Sequence, residues 1–323
     1  MRVVLCYPVE DQHLQQIRRA IPDAEVVDAG QERIPEEILN ADIFIGHSKV
    51  HPLPWAEVVR QGRLRWIQSS AAGLDHCLAP TVISSEIRVS SASGLFAHQV
   101  AEQTMSLLLG LIRSQPDFFR AQTQKQYVRL ATDDLRGQTV GIVGFGGNGQ
   151  RIAEVLAPWN VRLLATDRFP EPPPPHVEAV WPDDRLPDLL AQSDTVILCV
   201  PLNRQTHHLI GTEQLGQCKP GARLINVARG PVVDEAALVA ALENGTLSGA
   251  GLDVAEVEPL PTSSPLWEMP NVMITPHVGA QSAKRVDDTT DLVCENLARY
   301  LAGKPLRNEV DKELGFPRPE QRR

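Results

Sequence analysis

Cysteine is scarce in this 323-residue chain. Its five cysteines, Cys6, Cys77, Cys199, Cys218 and Cys294, are odd in number, irregularly spaced and never arranged as C-x-x-C. That pattern argues against a disulfide framework and against a thiolate zinc site, so no metal is expected. It suits a reducing, cytoplasmic setting. The chain also lacks any run of about 18 apolar residues, which excludes a transmembrane helix and a membrane partner of that kind. The opening stretch MRVVLCYPVEDQ turns charged by Glu10, so no targeting segment is expected. Positive charge is in deficit. Thirty-one Lys and Arg face 40 Asp and Glu, giving a net charge of −9. A surface of that sign repels phosphate backbones and argues against nucleic acid as a partner. An acidic small-molecule substrate would need a local basic pocket.

What is present is an ordinary globular balance, 42% hydrophobic and 22% charged, over a length that suits two domains. Short apolar runs alternate with amphipathic ones through the first hundred residues. Residues 3–7, 24–28 (AEVVD), 42–46, 65–70 and 87–91 read as strands, and residues 11–20 as a helix with Leu14 and Ile17 on one face. A long helix pattern follows over 98–113. A second series then begins near Thr139. TVGIVG, VRLLATD, DTVILCV, ARLINVA, GAGLDV and NVMITPH read as strands, mostly apolar throughout, as strands covered on both faces should be. Alternating strands and helices imply parallel sheets. A last helix is expected over roughly 283–302, carrying the chain back to the first domain. The polar, proline-bearing tail EVDKELGFPRPEQRR is expected to be peripheral.

The sequence Gly144-Phe145-Gly146-Gly147-Asn148-Gly149 matches G-x-G-x-x-G between an apolar strand and a helix pattern. In that context Gly144 permits the tight turn, Gly146 lets the backbone approach a pyrophosphate and Gly149 lets the helix pack on the strand. Asp167 ends the next strand about 20 residues on, where an acid binds the adenine ribose. A carboxylate there disfavours a 2′-phosphate, so NAD is expected rather than NADP, although the adjacent Arg168 keeps NADP open.

Later strands end in polar residues. INVARG places Arg229 just past a strand, GLDVAEVEP places Asp253 at a strand end with Glu258 beyond it, and ITPHVG places His277 behind Pro276. Ligands of open α/β sheets bind beyond the carboxyl ends of the strands. Reduction of a ketone needs a proton donor, which His277 can be near neutral pH. Glu258 could fix the tautomer of that imidazole, and Arg229 could grip a substrate carboxylate. Plainer roles stay open for each: a surface ion pair for Arg229, a turn residue for Glu258, a buried histidine for His277, a helix cap for Asp253.

With the glycine loop, the stretches N-V-A-R-G at 226–230, G-L-D-V at 251–254, E-P at 258–259 and T-P-H-V-G at 275–279 make nearly the whole chain resemble the D-isomer-specific 2-hydroxyacid dehydrogenases. The resemblance implies two Rossmann-like or flavodoxin-like domains with an active-site cleft between them. The substrate domain would comprise 1–98 plus 283–323 and the NAD domain 99–282. It implies hydride transfer between NAD(H) and the α carbon of a small D-2-hydroxy or 2-keto acid, by a homodimer. Arg229, Glu258 and His277 would be the catalytic trio. Asp253 would hold the nicotinamide carboxamide. Thr104, Gly147, Asn148, Pro201, Thr206, Ala228 and Gly279 would complete the cofactor site, and the Ala72 and Gly73 N–H groups would hold the substrate carboxylate. Asn148 stands where relatives carry an apolar residue, FRAQTQKQYVR lacks a tryptophan that relatives often have, and Glu258 replaces the Gln of formate oxidisers. A second reading is a nucleotide-sensing corepressor-like protein of the same fold, without turnover.

Other features have modest readings. His47 and His51 have a metal-like spacing but lie between Gly46 and Pro52, as in a loop. PEPPPP at 170–175 reads as a stiff connection, His207 and His208 as loop or packing residues, and Trp267 as a packing anchor.

Overall fold

The computed structural model describes residues 1–321. The chain divides into two compact units, Met1–Phe96 with the segment from Ser282 onward, and Ala97–Gln281.

The first unit is built on five parallel strands, β1 (Arg2–Cys6), β2 (Glu25–Asp28), β3 (Ile43–Gly46), β4 (Trp66–Ser69) and β5 (Arg88–Ser90), in the order β2-β1-β3-β4-β5. The apolar runs become strands because both sheet faces are covered: every residue of β3 and β4 is buried. Each such Ile, Leu or Val contributes about 1.5–3 kcal/mol relative to exposure. The helix Asp11–Ala20 buries Ile17 as its spacing predicts. The returning helix Arg285–Leu301 joins this unit through a buried polar chain. Trp66 Nε1 donates to Ser90 Oγ (2.9 Å), Ser90 Oγ to Gln68 Oε1 (2.6 Å), and Asn296 Nδ2 to the same oxygen (2.7 Å).

The tail corrects the expectation of a peripheral segment. Val310 is buried in the core, its N–H donates to Val89 O (2.8 Å), and Glu309 receives Arg88 at 2.7 and 2.8 Å. The polar composition concealed this, because beside one buried valine the anchoring is polar: a bridge to Ser90, the Arg88–Glu309 pair and Lys312 Nζ, which donates to Val82 O (3.1 Å).

The second unit carries seven parallel strands, β6 (Thr139–Val143), β7 (Arg162–Asp167), β8 (Ala179–Pro182), β9 (Thr195–Leu198), β10 (Ala222–Asn226), β11 (Leu247–Leu252) and β12 (Val272–Ile274). Their order is β12-β11-β10-β9-β6-β7-β8. Strand β8 was not expected. It is a partly buried edge strand of four residues that follows the proline run, too short to declare itself. The sheet reverses its direction of growth between β6 and β9, and such a switch point opens a crevice at the carboxyl ends of its strands. Among the described residues no helix is long and apolar enough to cross a membrane.

Candidate active site

The glycine loop leaves β6 at the switch point. Gly144 takes φ +93°, and a Cβ there would lie 2.9 Å from Cys199 C and Val200 N on the facing β9 connection. A Cβ on Gly149 would overlap Gly144 O. Gly146 caps the helix Gly147–Leu156, whose first turn holds Gly147 and Asn148 and directs its N–H groups outward. At the end of β7, Asp167 Oδ2 accepts from Phe145 N (2.7 Å) and Oδ1 from Phe169 N (2.9 Å), so this carboxylate is fixed against the loop. Arg168 pairs with Asp183 at 2.8 Å, and Asp184 follows. Beyond β9, Thr206 Oγ1 donates to Pro201 O (2.6 Å) and accepts from Asn203 N (2.9 Å), which closes the 201–206 turn. A cradle that a Cβ would fill, a helix N-terminus above it and an anchored acid at the next strand fit a dinucleotide.

Three loops carry the polar residues. After β10, the buried Asn226 side chain accepts from Ala228 N and donates to Arg229 O, both at 3.0 Å, and so folds the turn that presents Arg229. Gly230 is required there, because a Cβ would overlap Ala255 O of the next loop. After β11, Asp253 is only 3% exposed. Its Oδ1 accepts from Thr275 Oγ1 (2.7 Å) and Val278 N (3.0 Å), its Oδ2 from Gly279 N (2.8 Å), and its carbonyl from His277 N (2.7 Å). The loop after β12 is thereby wrapped around one carboxylate, with His277 at φ +53°, a left-handed conformation uncommon for histidine. Gln103 Nε2 donates to Thr275 Oγ1 (2.8 Å) and secures the loop to the helix Ala97–Ile112.

His277 Nδ1 lies 2.8 Å from Glu258 Oε2. Burial raises the Glu258 carboxyl, but the hydrogen bond and charge of His277, the Ala255 N–H and nearby Arg229 outweigh it and hold the group below the usual carboxylate range. A carboxylate on Nδ1 leaves Nε2 as the nitrogen that can exchange a proton with a bound molecule. Arg229, Glu258 and His277 thus gather at the carboxyl ends of β10, β11 and β12 within one unit, and the arrangement can deliver a proton beside a guanidinium.

Thr104 stands apart from that group. It is fully buried, and its hydroxyl donates to Val100 O (2.7 Å). In the first unit the Ala71–Gly73 loop is held by Ser69 Oγ, which accepts from Ala71 N (3.0 Å), while the Ala72 and Gly73 N–H groups meet no acceptor among the described residues. The His47 ring stacks on His76 at 3.8 Å, and His51 lies 3.6 Å from Glu32. Among the described residues no group of three or more His, Cys, Asp or Glu could hold a metal ion. Trp267 is 53% exposed and donates to Pro261 O (3.0 Å), so it corrects the expectation of a packing anchor. Sequence reasoning did not single out Asn226, Thr275 or Gln103. The first two lie inside quoted motifs, where their hydrogen-bonding side chains were the available signal.

Comparison with known proteins gives consistent findings. The profile of the family "D-isomer specific 2-hydroxyacid dehydrogenase, NAD binding domain" matches residues 105–279. A glyoxylate reductase of Thermofilum pendens is 35% identical over 79% of this chain and 77% of its own. The crystal structure of a D-isomer specific 2-hydroxyacid dehydrogenase from Xanthobacter autotrophicus, in complex with NADPH and MES, superposes with a TM-score of 0.79 at 30% identity, covering 98% of this chain and 99% of that one. An NADPH-dependent glyoxylate/hydroxypyruvate reductase from Sinorhizobium meliloti, in complex with NADP and sulfate, gives 0.83 at 26% identity over 98% and 99%.

Proposed function

The chain belongs to the D-isomer-specific 2-hydroxyacid dehydrogenases, and from that premise we propose how its own residues carry hydride transfer between a nicotinamide cofactor and a 2-keto or 2-hydroxy acid. The observation that carries the reading is the 2.8 Å pair of His277 Nδ1 and Glu258 Oε2 at the strand ends. The bound dihydronicotinamide supplies the hydride. His277, oriented by Glu258, gives its Nε2 proton to the carbonyl oxygen, and in the reverse direction takes it from the hydroxyl. Arg229 grips the substrate carboxylate and polarises the carbonyl; the Ala72 and Gly73 N–H groups are assigned to the substrate by the resemblance alone. The reading assigns the 97–281 unit to the cofactor and the other to the substrate. Gly144, Gly146, Gly147, Asn148 and Gly149 receive the pyrophosphate. Pro201, Thr206, Ala228 and Gly279 line the cofactor, and Thr104 is placed with them by resemblance alone. Small 2-keto acids such as glyoxylate and hydroxypyruvate are the proposed substrates.

The preferred cofactor is NAD. Asp167 is anchored where the ribose hydroxyls bind, and Arg168, which could serve a 2′-phosphate, is engaged by Asp183. A 2′-phosphate would meet the Asp167 carboxylate, with the neighbouring Arg168 already held by Asp183. The expected result with glyoxylate, hydroxypyruvate, pyruvate and phenylpyruvate is turnover with at least one acid, and faster with NADH than with NADPH. Asp167→Ala should weaken NADH binding about tenfold, the order of one or two lost hydrogen bonds, and narrow the preference. Equal use of both cofactors by the unmodified enzyme would refute the assignment. No turnover despite tight NADH binding would favour the corepressor-like alternative.

The proposed assembly is a homodimer. Phe119, Tyr127, Val128 and Leu130 are all exposed, Tyr127 by 96%, and large apolar side chains left in solvent along one segment are candidates for burial against a second copy. Light scattering should give twice the mass of the chain, and Phe119→Asp with Tyr127→Asp should return it to one chain. A monomeric parent protein would overturn this.

A further inference from the structure

A second carboxylate fixes the loop that carries Glu258, and the chemistry above leaves it without a role. Glu256 Oε1 lies 2.7 Å from His208 Nε2, while its Oε2 accepts the N–H of Glu235 (2.9 Å), the first residue of the helix Glu235–Glu243. One side chain therefore joins three segments of the second unit. His208 stands two residues beyond Thr206, just past the 201–206 turn. Its backbone is left-handed, at φ +51°, and its N–H donates to Pro231 O (2.8 Å), next to Gly230. Its ring lies 4.1 Å from that of His207. Gly230 packs on Ala255 O with no room for a Cβ, and Ala255 N donates to Glu258 Oε1 (3.2 Å). The turn assigned to the cofactor, the turn that presents Arg229 and the loop that presents Glu258 all meet around Glu256.

We propose that His208 and Glu256 form a positioning pair that couples the 201–206 turn to the Glu258 loop and keeps Glu258 in register with His277. The proposal rests on the reading of His277 as the acid and base. Neither member touches the reacting atoms. Both side chains are partly exposed, at 37% and 29%, so the pair contributes little to global stability. Its consequence lies in geometry, because a small misplacement of an acid–base couple is felt in rate.

The test is a double-mutant cycle in the full chain. His208→Asn keeps a residue that accepts the left-handed backbone but is too short to reach Glu256, and Glu256→Gln keeps the shape and removes the charge. Each substitution should lower kcat roughly fivefold to tenfold, move the pH–rate limb set by the Glu258–His277 couple, and leave the melting temperature and the KM for the keto acid nearly unchanged. The double variant should be no worse than either single one, as for residues acting as a unit. Unchanged kcat and pH profile in His208→Asn, or effects that multiply in the double variant, would overturn the pair. His277→Ala is run alongside. If it is inactive while His208→Asn matches the parent, only the pair fails; if it keeps parental turnover, the reading beneath fails and takes the pair with it.

Discussion

Replacing His277 with alanine lowers kcat by about 10²–10⁴-fold, the range that a positioned acid–base group supplies, while NADH binding stays close to that of the parent. The separation follows from the geometry. The imidazole hydrogen-bonds Glu258 through Nδ1, whereas the Asp167 carboxylate is held by the glycine loop through Phe145 N. Because His277 is at φ +53°, alanine also strains the backbone, and His277→Asn, which accepts that conformation, is the cleaner variant and should be equally impaired. Arg229→Ala should differ by raising KM as well as lowering kcat, since it loses a grip on the bound carboxylate. Glu258 adds a pH signature. Its carboxyl lies below the usual range, so it stays ionised as pH falls toward ordinary carboxylate values. The activity that depends on its anion should persist through the unperturbed Glu value of about 4.3 and be lost only at lower pH. NADH fluorescence titration and steady-state rates across pH check these statements; near-parental turnover in His277→Asn contradicts them.

Asp253→Asn is expected to cost turnover on a comparable scale, by loss of a fold rather than of a proton. Three donors, from Thr275, Val278 and Gly279, converge on this carboxylate. An amide that keeps its oxygen at the Oδ1 position turns its own N–H groups toward Gly279 N, so that buried donor goes unpaired at about 1–3 kcal/mol. The 275–279 loop should loosen and His277 should leave its partner. Hydrogen exchange should therefore quicken over 275–279, with kcat down by roughly 10²-fold, as for a misplaced catalytic group. Parental exchange and parental kcat together would contradict the anchoring role. The resemblance alone assigned Asp253 to the nicotinamide carboxamide; the hydrogen bonds add a task that no motif announces.

That contrast shows what could be read from the sequence. Both sheets are largely legible, because a strand covered on both faces is a short apolar run and the runs at 43–46, 140–143 and 196–200 hold no charged or hydroxyl side chain. The glycine loop is legible because Gly144 and Gly149 serve backbone positions that no other side chain fits. Strand β8 and the tail are not, since three partly buried residues and a mostly polar tail with one buried valine carry too little pattern. The residues gathered at the strand ends were named one by one from motifs. Of their supports, Asn226 acts within its own motif, whereas Thr275, Gln103 and the His208–Glu256 pair are contacts between segments far apart in the chain, and spacing along one strand holds no record of them. Histidine and asparagine in left-handed positions could have drawn notice to His208, but only once the loops were folded.

The most direct test of the central claim is to follow the hydride itself. The purified protein is given NADH deuterated at the transferable C4 position together with glyoxylate or hydroxypyruvate, and the product is analysed by mass spectrometry. Hydroxypyruvate should yield a 2-hydroxy acid of D configuration with one deuterium on C2, and glyoxylate the singly deuterated hydroxy acid, in amounts equal to the NADH consumed and nearly absent with His277→Asn. A protein that binds NADH tightly yet leaves every keto acid free of deuterium would contradict the account.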